Sequence, residues 1–348
     1  MVALFIPVGI LLAASLIVLS AISFHFFAFQ AIWIILGIGL VAVSFFVDIR
    51  AVFSAQWVIW GIYALALALM VFALIASPLV RNTHSWIVLG PVSIQPVELM
   101  KVALILVYAS YFSKRHLAIA RWKNIFTSFL FFVVPAAIAV KYPDLGSAVI
   151  FFAIWFGFLL LLGLPWRRVA VAVIALALAG GFIWIYVLKP YHRARIIGFL
   201  DPNANALGIN YSAIQSKIAI GSAGLWGQGY GQGTETQLGF LSEPSEDFIF
   251  AALIEEWGII GGIVVVGAFM FLVFQILRIG LLADENFEKF VCIGAAMMLG
   301  VQFLLNAGSA TGLTPVIGVT FPFLSYGGSS MMANFFTLSL VNSIRKRS

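Results

Sequence analysis

Residues 1–47 read MVALFIPVGILLAASLIVLSAISFHFFAFQAIWIILGIGLVAVSFFV, and the first charged residue of the chain is Asp48. This stretch is long enough to cross a bilayer twice, because about 20 consecutive apolar residues span the hydrocarbon core as a helix. Soluble domains carry about 25% charged residues. This chain of 348 residues is 63% hydrophobic and only 9% charged, so its composition excludes a soluble fold.

Uncharged runs between polar breaks continue to the end of the chain. They predict an all-α, polytopic integral membrane protein of about ten transmembrane helices that form one domain over residues 1–348. The predicted spans are residues 3–22, 28–47, 53–79, 94–113, 122–140, 145–163, 168–188, 248–278, 290–307 and 316–343.

The basic residues lie mainly at alternate span ends. The positive-inside rule predicts that the more basic side, which includes both termini, is cytoplasmic. The longest connection, residues 189–247, is then extracytoplasmic, and its length favours a functional loop over a merely flexible one. Within it, residues 211–225 carry apolar side chains near helical spacing, which indicates an amphipathic interfacial segment. The basic residues on the cytoplasmic side are Arg50, Lys114, Arg115, Arg121, Lys123, Arg167, Arg168, Arg278, Lys289, Arg345, Lys346 and Arg347.

Two charges fall within the fourth predicted span. Glu98 and Lys101 are three residues apart, so a helix places them on one face. A charge in a membrane needs a partner, a wet cavity or a mechanistic role. The two residues are therefore either a self-neutralising structural pair or the wall of a cavity that meets a polar substrate.

Further acids lie near the outer ends of spans. Asp144 begins the sixth span, where a helix N-cap is the favoured interpretation. Asp247 leads into the eighth span and is either a cap or a functional acid. Glu255 and Glu256 lie about 12 Å deeper on that span, at about 1.5 Å per residue. Two carboxylates at that depth need cations or water, and Lys101 is a candidate partner.

Arg193 and Arg195 alternate at the outer end of the seventh span. Arginines in this position either extend toward lipid headgroups or bind a pyrophosphate. Nucleic-acid binding has no support, because the remaining basic residues are dispersed among loops as the topology rule expects.

Five short strings follow one another along the chain: Gln95-Pro96-Val97-Glu98 with Lys101, Pro143-Asp144-Leu145-Gly146, Gln215-Ser216-Lys217-Ile218-Ala219, Asp247-Phe248-Ile249-Phe250 with Glu255-Glu256, and Ser325-Tyr326-Gly327-Gly328-Ser329-Ser330. Together they resemble the SEDS family, the shape, elongation, division and sporulation proteins, over nearly the whole chain. Residues 229–234, residues 315–319 and the basic tail are closer to the RodA branch of that family than to the FtsW branch. Two departures occur, because Ser245-Glu246 replaces a usual His-Thr pair and His84-Ser85-Trp86 replaces an Arg-Trp pair.

The resemblance implies a peptidoglycan glycosyltransferase that polymerises lipid II during cell-wall elongation in the bacterial cytoplasmic membrane, with an outward-facing active site. It also implies a class B penicillin-binding protein and the elongation machinery as partners. By motif match Asp247 is the essential acid, and we expect it to act as the general base on the acceptor hydroxyl.

The leaving pyrophosphate could be neutralised by Arg193, Arg195 or Lys217. The residues specify no cofactor, but carboxylates and substrate phosphates would also accept a divalent cation, Mg²⁺ or Mn²⁺. Glu98, Lys101 and Asp144 would complete the substrate-binding set.

Two other functions remain open at this point. Intramembrane charges and a cavity also describe the path of a lipid II flippase or another transporter. A non-catalytic membrane scaffold for the penicillin-binding protein would use the glycine-rich loop only as a docking surface.

Overall fold

The computed structural model of the chain describes residues 2–46, 55–77, 85–90, 92–115, 121–182, 184–185, 190–201, 208 and 210–345. The motif position His84 and the basic residues Arg50, Lys346 and Arg347 lie outside these ranges. The described elements are α1 (Val2–Ile22), α2 (Phe24–Val43), α3 (Gln56–Ala76), β1 (Ile87–Leu89), β2 (Val92–Ile94), α4 (Pro96–Ser113), α5 (Trp122–Lys141), α6 (Leu145–Leu161), α7 (Trp166–Phe182), α8 (Pro190–Leu200), α9 (Tyr211–Ser222), α10 (Thr234–Gln237), α11 (Ile249–Leu282), α12 (Asn286–Thr311) and α13 (Gly328–Arg345).

The helices confirm an all-α, polytopic membrane protein. Seven of them, α1 to α5, α11 and α12, are long and apolar enough to cross a membrane. Helix α6 is apolar but shorter, and α7 and α13 occupy the two remaining predicted spans. A helix therefore lies at each of the ten predicted positions. The two strands, β1 and β2, form a small antiparallel hairpin just before α4.

The last predicted span begins too early. Helix α13 starts at Gly328, and residues 313–327 are not helical. Pro322 has no backbone N–H for a helix, and Gly318, Phe323 and Gly327 have φ of 68°, 63° and 156°. A right-handed helix cannot continue through such residues. The predicted start at residue 316 is therefore wrong.

Helix α4 lies at the centre of the bundle. It packs against α3, α5, α6, α12 and α13, and 15 of its 18 residues are buried. Pro96 occupies the start of the helix, where its missing N–H and fixed φ cost nothing. Glu98 and Lys101, within the first two turns, consequently lie in the protein interior and do not face lipid.

Helix α11 is interrupted at Gly258, which has φ of 71° and ψ of −176°. Backbone polar groups at membrane depth must be satisfied within the protein. Here residues 224–229 of the long connection supply the partners, so this segment lies beside the interrupted helix. The hydrogen bonds run from Gln228 N to Glu255 O (2.8 Å), Gly229 N to Glu256 O (3.1 Å), Ile259 N to Gly224 O (3.1 Å) and Ile260 N to Leu225 O (3.3 Å).

We expect Gly258→Ala to destabilise the protein by more than 2 kcal/mol, roughly the scale of strained or overpacked sites. A Cβ at Gly258 would overlap the carbonyl oxygen of Leu225, and the positive φ adds strain. Gly267→Ala, in the same helix and in open space, should raise or preserve stability because alanine is the better helix former. Thermal unfolding of both variants in detergent measures the difference. Equal midpoints would contradict the assigned backbone contact.

The long connection contains α8, α9 and α10 in its described part. The segment with helical apolar spacing is α9, which packs against α11 and α12. Ser216 Oγ on α9 donates a hydrogen bond to the Ala310 carbonyl at the end of α12 (2.7 Å). The long connection is thus attached to α11, which follows Asp247, and to α12, which precedes residues 313–327.

Candidate functional site

Asp247 lies in the turn that immediately precedes α11 and is half-buried. Its carboxylate is adjacent to Gly318, because a Cβ built on Gly318 would be 3.6 Å from Asp247 Oδ2. Its backbone carbonyl accepts a hydrogen bond from Asn306 Nδ2 at 2.9 Å. The carboxylate itself is therefore presented at the end of a helix, beside a residue that has no side chain to cover it.

Residues 313–319, named here the return segment, fold back along α12. The turn is made by Gly312, whose φ is 76°, and by the Gly308 carbonyl, which accepts from the backbone N–H groups of Leu313 (2.7 Å) and Thr314 (3.1 Å). This is a common way to end a helix and satisfy its last carbonyls. The result places Gly318 next to Asp247.

The return segment also contacts two other predicted site elements. Arg195 Nη1 donates to the Val316 carbonyl at 3.0 Å. Gly146, two residues after Asp144, approaches so closely that a Cβ there would be 2.8 Å from the Ile317 carbonyl oxygen. One short segment therefore lies between α8, the start of α6 and the turn of Asp247.

A cavity beside the return segment contains two of the predicted cations. Its lining includes Arg195, Asn210, Lys217, Thr314 and Val316. The Lys217 side chain lies over Gly312, where a Cβ would be 2.5 Å from Lys217 Nζ. The lining residues that the structure describes include no carboxylate. Two cations in one cavity make it suited to an anionic group.

Arg193 points away from that cavity. Its Nη2 donates to the Ile185 carbonyl at 2.8 Å, and it is not among the lining residues. Alternate residues of a helix lie about 200° apart around its axis, so two arginines at this spacing cannot face one site. The structure thus brings together Arg195 and Lys217 but not Arg193.

Glu98 and Lys101 form a buried ion pair. Lys101 Nζ lies 2.6 Å from Glu98 Oε1, and the two side chains are 3% and 7% exposed, lysine first. Lys101 is therefore the partner of Glu98. Its candidate role as the partner of Glu255 or Glu256 is not what the structure places there.

Asp144 caps α6, as the sequence predicted. Its Oδ1 accepts from Ser147 N (2.9 Å) and its Oδ2 from Ser147 Oγ (2.7 Å). Asp144 lies between α5 and α6, and burial raises the pKa of its carboxyl. The hydrogen bonds from Ser147 and the charge of Lys101 lower this pKa, and the charge of Glu98 raises it. Asp144 is consequently within electrostatic reach of the ion pair on α4.

Glu255 and Glu256 hold the long connection in place. The Glu255 carboxylate accepts from Glu235 N (2.7 Å), Thr236 N (3.1 Å) and Thr236 Oγ1 (2.6 Å) at the start of α10. Glu256 Oε1 accepts from Gly231 N at 3.2 Å. For Glu255, the backbone N–H groups at the start of α10 supply the partners that a carboxylate at this depth needs.

The string Ser325 to Ser330 joins the turn of Asp247 to the start of α4. Ser325 Oγ donates to the Glu246 carbonyl (2.6 Å), and Tyr326 N donates to the Ser245 carbonyl (2.8 Å). Ser329 Oγ accepts from the backbone N–H of Gln95 (3.0 Å). Gln95 Nε2 in turn lies 3.4 Å from Asp144 Oδ2. The strings that are separated in sequence thus converge around one site.

Sequence reasoning missed Asn306 and assigned no role to Gln95 or Ser325. The last two belong to the recognised strings, so the strings were a usable signal. Asn306 is a single amide in an apolar helix and gave none. Among the described residues, no group of three or more His, Cys, Asp or Glu side chains could hold a metal ion, so the divalent cation stays a prediction that would depend on substrate phosphates.

Comparison with known proteins adds the family. The family described as cell cycle proteins, FtsW, RodA and SpoVE, matches residues 1–348. The chain is 35% identical over 269 residues to the peptidoglycan glycosyltransferase MrdB of Escherichia coli K12, covering 76% of this chain and 72% of that protein. It is 35% identical over 299 residues to stage V sporulation protein E of Bacillus subtilis 168, covering 85% and 80%.

Solved structures show the same fold. A chain of a peptidoglycan synthase complex, described as coordinating polymerization and crosslinking, matches with a TM-score of 0.86 and 30% identity, covering 100% of this chain and 98% of that one. The rod-shape-determining protein RodA of Thermus thermophilus matches with a TM-score of 0.73 and 26% identity, covering 99% and 95%.

Proposed function

The chain belongs to the SEDS family and is a peptidoglycan glycosyltransferase, and on this premise we propose that it polymerises lipid II during cell-wall elongation with Asp247 as general base. The observation that carries the proposal is the return segment. It lies against the Asp247 carboxylate at Gly318 and accepts the Arg195 hydrogen bond at Val316.

The spacing suits a glycosyl transfer. Val316 and Gly318 are two residues apart, and two residues of extended chain span at most about 7 Å. A general base and the group that neutralises a leaving phosphate must lie on opposite sides of one reacting carbon, a few ångströms from it. Asp247 contacts the return segment at Gly318 and Arg195 contacts it at Val316, so the two contact points lie within this distance.

In the proposed reaction an acceptor hydroxyl attacks the anomeric carbon of the donor sugar. Asp247 takes the hydroxyl proton as the new C–O bond forms, and the bond from the anomeric carbon to the pyrophosphate oxygen breaks. The bonding electrons leave with the pyrophosphate, whose negative charge Arg195 and Lys217 neutralise in the cavity. A divalent cation on the substrate phosphates would supply further positive charge there. Glu98, Lys101 and Asp144 would shape the adjoining wall.

The site faces outward in this proposal. Asp247 and the return segment lie at the opposite end of α11 and α12 from Arg278 and Lys289, which the positive-inside rule places in the cytoplasm together with both termini. A lipid-linked donor could then keep its polyprenyl chain in the membrane while its sugar reaches Asp247.

We assign a class B penicillin-binding protein as the partner, together with the elongation machinery. The similarity to a chain of a peptidoglycan synthase complex that couples polymerization to crosslinking supports this assignment. The product of this chain, an uncrosslinked strand, is what a transpeptidase would consume.

Strand formation from purified lipid II in detergent tests the proposal. The full chain is assayed alone and with its penicillin-binding protein, and products are separated by length. We expect polymer in at least one of the two reactions. A correctly folded complex that makes no polymer would overturn the proposed activity.

The same assay separates the other functions. A flippase requires two compartments, whereas a detergent solution offers one pool of substrate, so polymer in detergent excludes transport as the sole activity. A scaffold would keep partner binding and cell growth after loss of Asp247. Each alternative therefore has an outcome of its own.

Removing the cavity cations should slow the reaction. We expect Arg195→Gln to lower kcat/KM by about 10- to 100-fold, because a hydrogen bond to a charged group contributes about 1.5–3 kcal/mol. Lys217→Met should lower kcat/KM about 10-fold, because Lys217 is an exposed residue whose charge is partly screened by solvent. Initial rates at several lipid II concentrations give both values.

Two variants serve as comparisons for this prediction. Lys141→Met removes an exposed cation at the outer end of α5 and should leave the rate unchanged. Arg193→Gln should cost less than Arg195→Gln, because Arg193 is directed to the Ile185 carbonyl. A larger loss at Arg193 than at Arg195 would show that the pyrophosphate binds elsewhere.

A further inference from the structure

Asn306 is a buried amide in the last turns of an apolar helix. It lies on α12 about one turn before the C-terminus and is 1% exposed. A polar side chain inside a membrane-spanning segment is costly unless it is hydrogen-bonded, and such residues often carry a function. Asn306 takes no part in the chemistry proposed above.

Both amide protons of Asn306 are directed at the candidate site. Nδ2 donates to the Asp247 carbonyl at 2.9 Å and to the Val319 carbonyl at 2.8 Å. A carboxamide offers two donors on one nitrogen, whereas an ionised carboxylate of the same shape offers none. Asparagine can therefore hold both carbonyls at once, and aspartate of the same shape cannot.

These two carbonyls belong to the two segments that meet at the site, the turn of Asp247 and the end of the return segment. One is that of Asp247 itself, and the other is that of Val319, the neighbour of Gly318, which lies against the Asp247 carboxylate. Helix α12 is a long, mostly buried element, so it is a rigid reference for both. Catalytic groups must be held to within about 0.5 Å of their productive positions.

We propose that Asn306 is a positioning residue for Asp247. It sets the distance between the base and the return segment, and through Val316 the distance between the base and the Arg195 cavity. This inference rests on the proposed function, because it assumes that Asp247 is the base.

The fold does not depend on Asn306 alone. Ser325 Oγ donates to the Glu246 carbonyl and accepts from Phe321 N (2.8 Å), and Tyr326 N holds the Ser245 carbonyl. The turn before α11 therefore keeps the two hydrogen bonds from Ser325 and Tyr326 when Asn306 is replaced. We expect this turn to become less precisely positioned while the protein stays folded.

Asn306→Ala and Asn306→Asp test the proposal in the full chain. We expect kcat for strand formation to fall about 10- to 100-fold with KM for lipid II within about threefold of wild type, since displacing a catalytic group by about 1 Å costs on the order of 100-fold. The matched control is Asn342→Ala. Asn342 is also fully buried and donates to Ser44 Oγ (3.1 Å), but near the opposite end of the bundle.

The control separates positioning from a merely structural role. Asn342→Ala should lower the unfolding midpoint as much as Asn306→Ala does, while leaving kcat unchanged. The proposal is overturned if Asn306→Ala keeps more than half of the wild-type kcat, if its loss lies in KM, or if Asn342→Ala loses as much kcat.

Asp247→Asn, assayed in parallel, distinguishes this inference from the proposed function. An inactive Asp247→Asn with a normal Asn306→Ala would remove only the positioning role. An active Asp247→Asn would remove the base assignment, and the positioning of that base with it.

Discussion

Asp247→Ala and Asp247→Asn proteins are expected to fold and bind lipid II, yet to form glycan strands at least about 100-fold more slowly than wild type. A general base contributes on the order of 100- to 10,000-fold, and neither replacement can accept the proton of the acceptor hydroxyl. The fold should survive because the bond from Asn306 goes to the backbone carbonyl of residue 247 and not to its carboxylate. Asp247→Asn keeps the shape of the side chain as well.

The measurement is the initial rate of strand formation, with lipid II binding and the unfolding midpoint recorded for the same samples. Glu243→Gln is the matched control, since it neutralises an exposed carboxylate four residues away and should leave the rate within about twofold. Retention of a tenth of the wild-type rate by Asp247→Ala would contradict the base role. If Asp247→Ala loses its fold as well as its rate, the rate of Asp247→Asn, which keeps the side-chain shape, decides the question.

The transmembrane helices could be predicted from the sequence because the bilayer imposes a simple demand. A segment that crosses it must be apolar for about 20 residues and satisfy its own backbone, and a helix does both. The same demand made Glu98 and Lys101 conspicuous. It gave no warning about residues 316–327, which are apolar but lie against the other helices or beside the site. Irregular backbone is tolerated in such places.

Contacts between distant parts of the chain were the least predictable feature. Glu255 appeared to need a cation, yet it caps α10 some 20 residues earlier, at Glu235 and Thr236. The interruption at Gly258 likewise depends on residues 224–229. Neither pairing has a period or spacing in the sequence, because each is set by how the long connection folds onto α11.

The candidate site was predictable in its residues but not in its geometry. Motif strings identified Asp247 and Lys217, and its position at the end of a predicted span identified Arg195. The return segment that brings them together has no charged residue to mark it. Arg193 and Arg195 are the same residue type on the same helix, so the sequence cannot show that their side chains point in different directions. Asn306 is recognised only when the two carbonyls it holds are seen.

Lys101→Met is expected to destabilise the protein by about 3–5 kcal/mol, the usual cost of leaving a buried charge without its partner. The Glu98 carboxylate would then remain 7% exposed without the ammonium 2.6 Å away. The Glu98→Gln and Lys101→Met double variant should recover most of this loss, because no charge remains buried. Unfolding midpoints in detergent should fall by roughly 6–20 °C in the single variant, at about 2–4 °C per kcal/mol. A double variant as unstable as Lys101→Met would show that the two side chains are not coupled.

The activity of that double variant decides between a structural pair and a cavity wall. A purely structural pair would give a stable and active protein. We expect instead a stable protein with at most about a tenth of the wild-type rate. Both charges act on Asp144, and Gly146, two residues further on, contacts Ile317 of the return segment. Removing the pair would therefore change the electrostatic field and the packing where α6 meets the return segment, while the helices themselves remain in place.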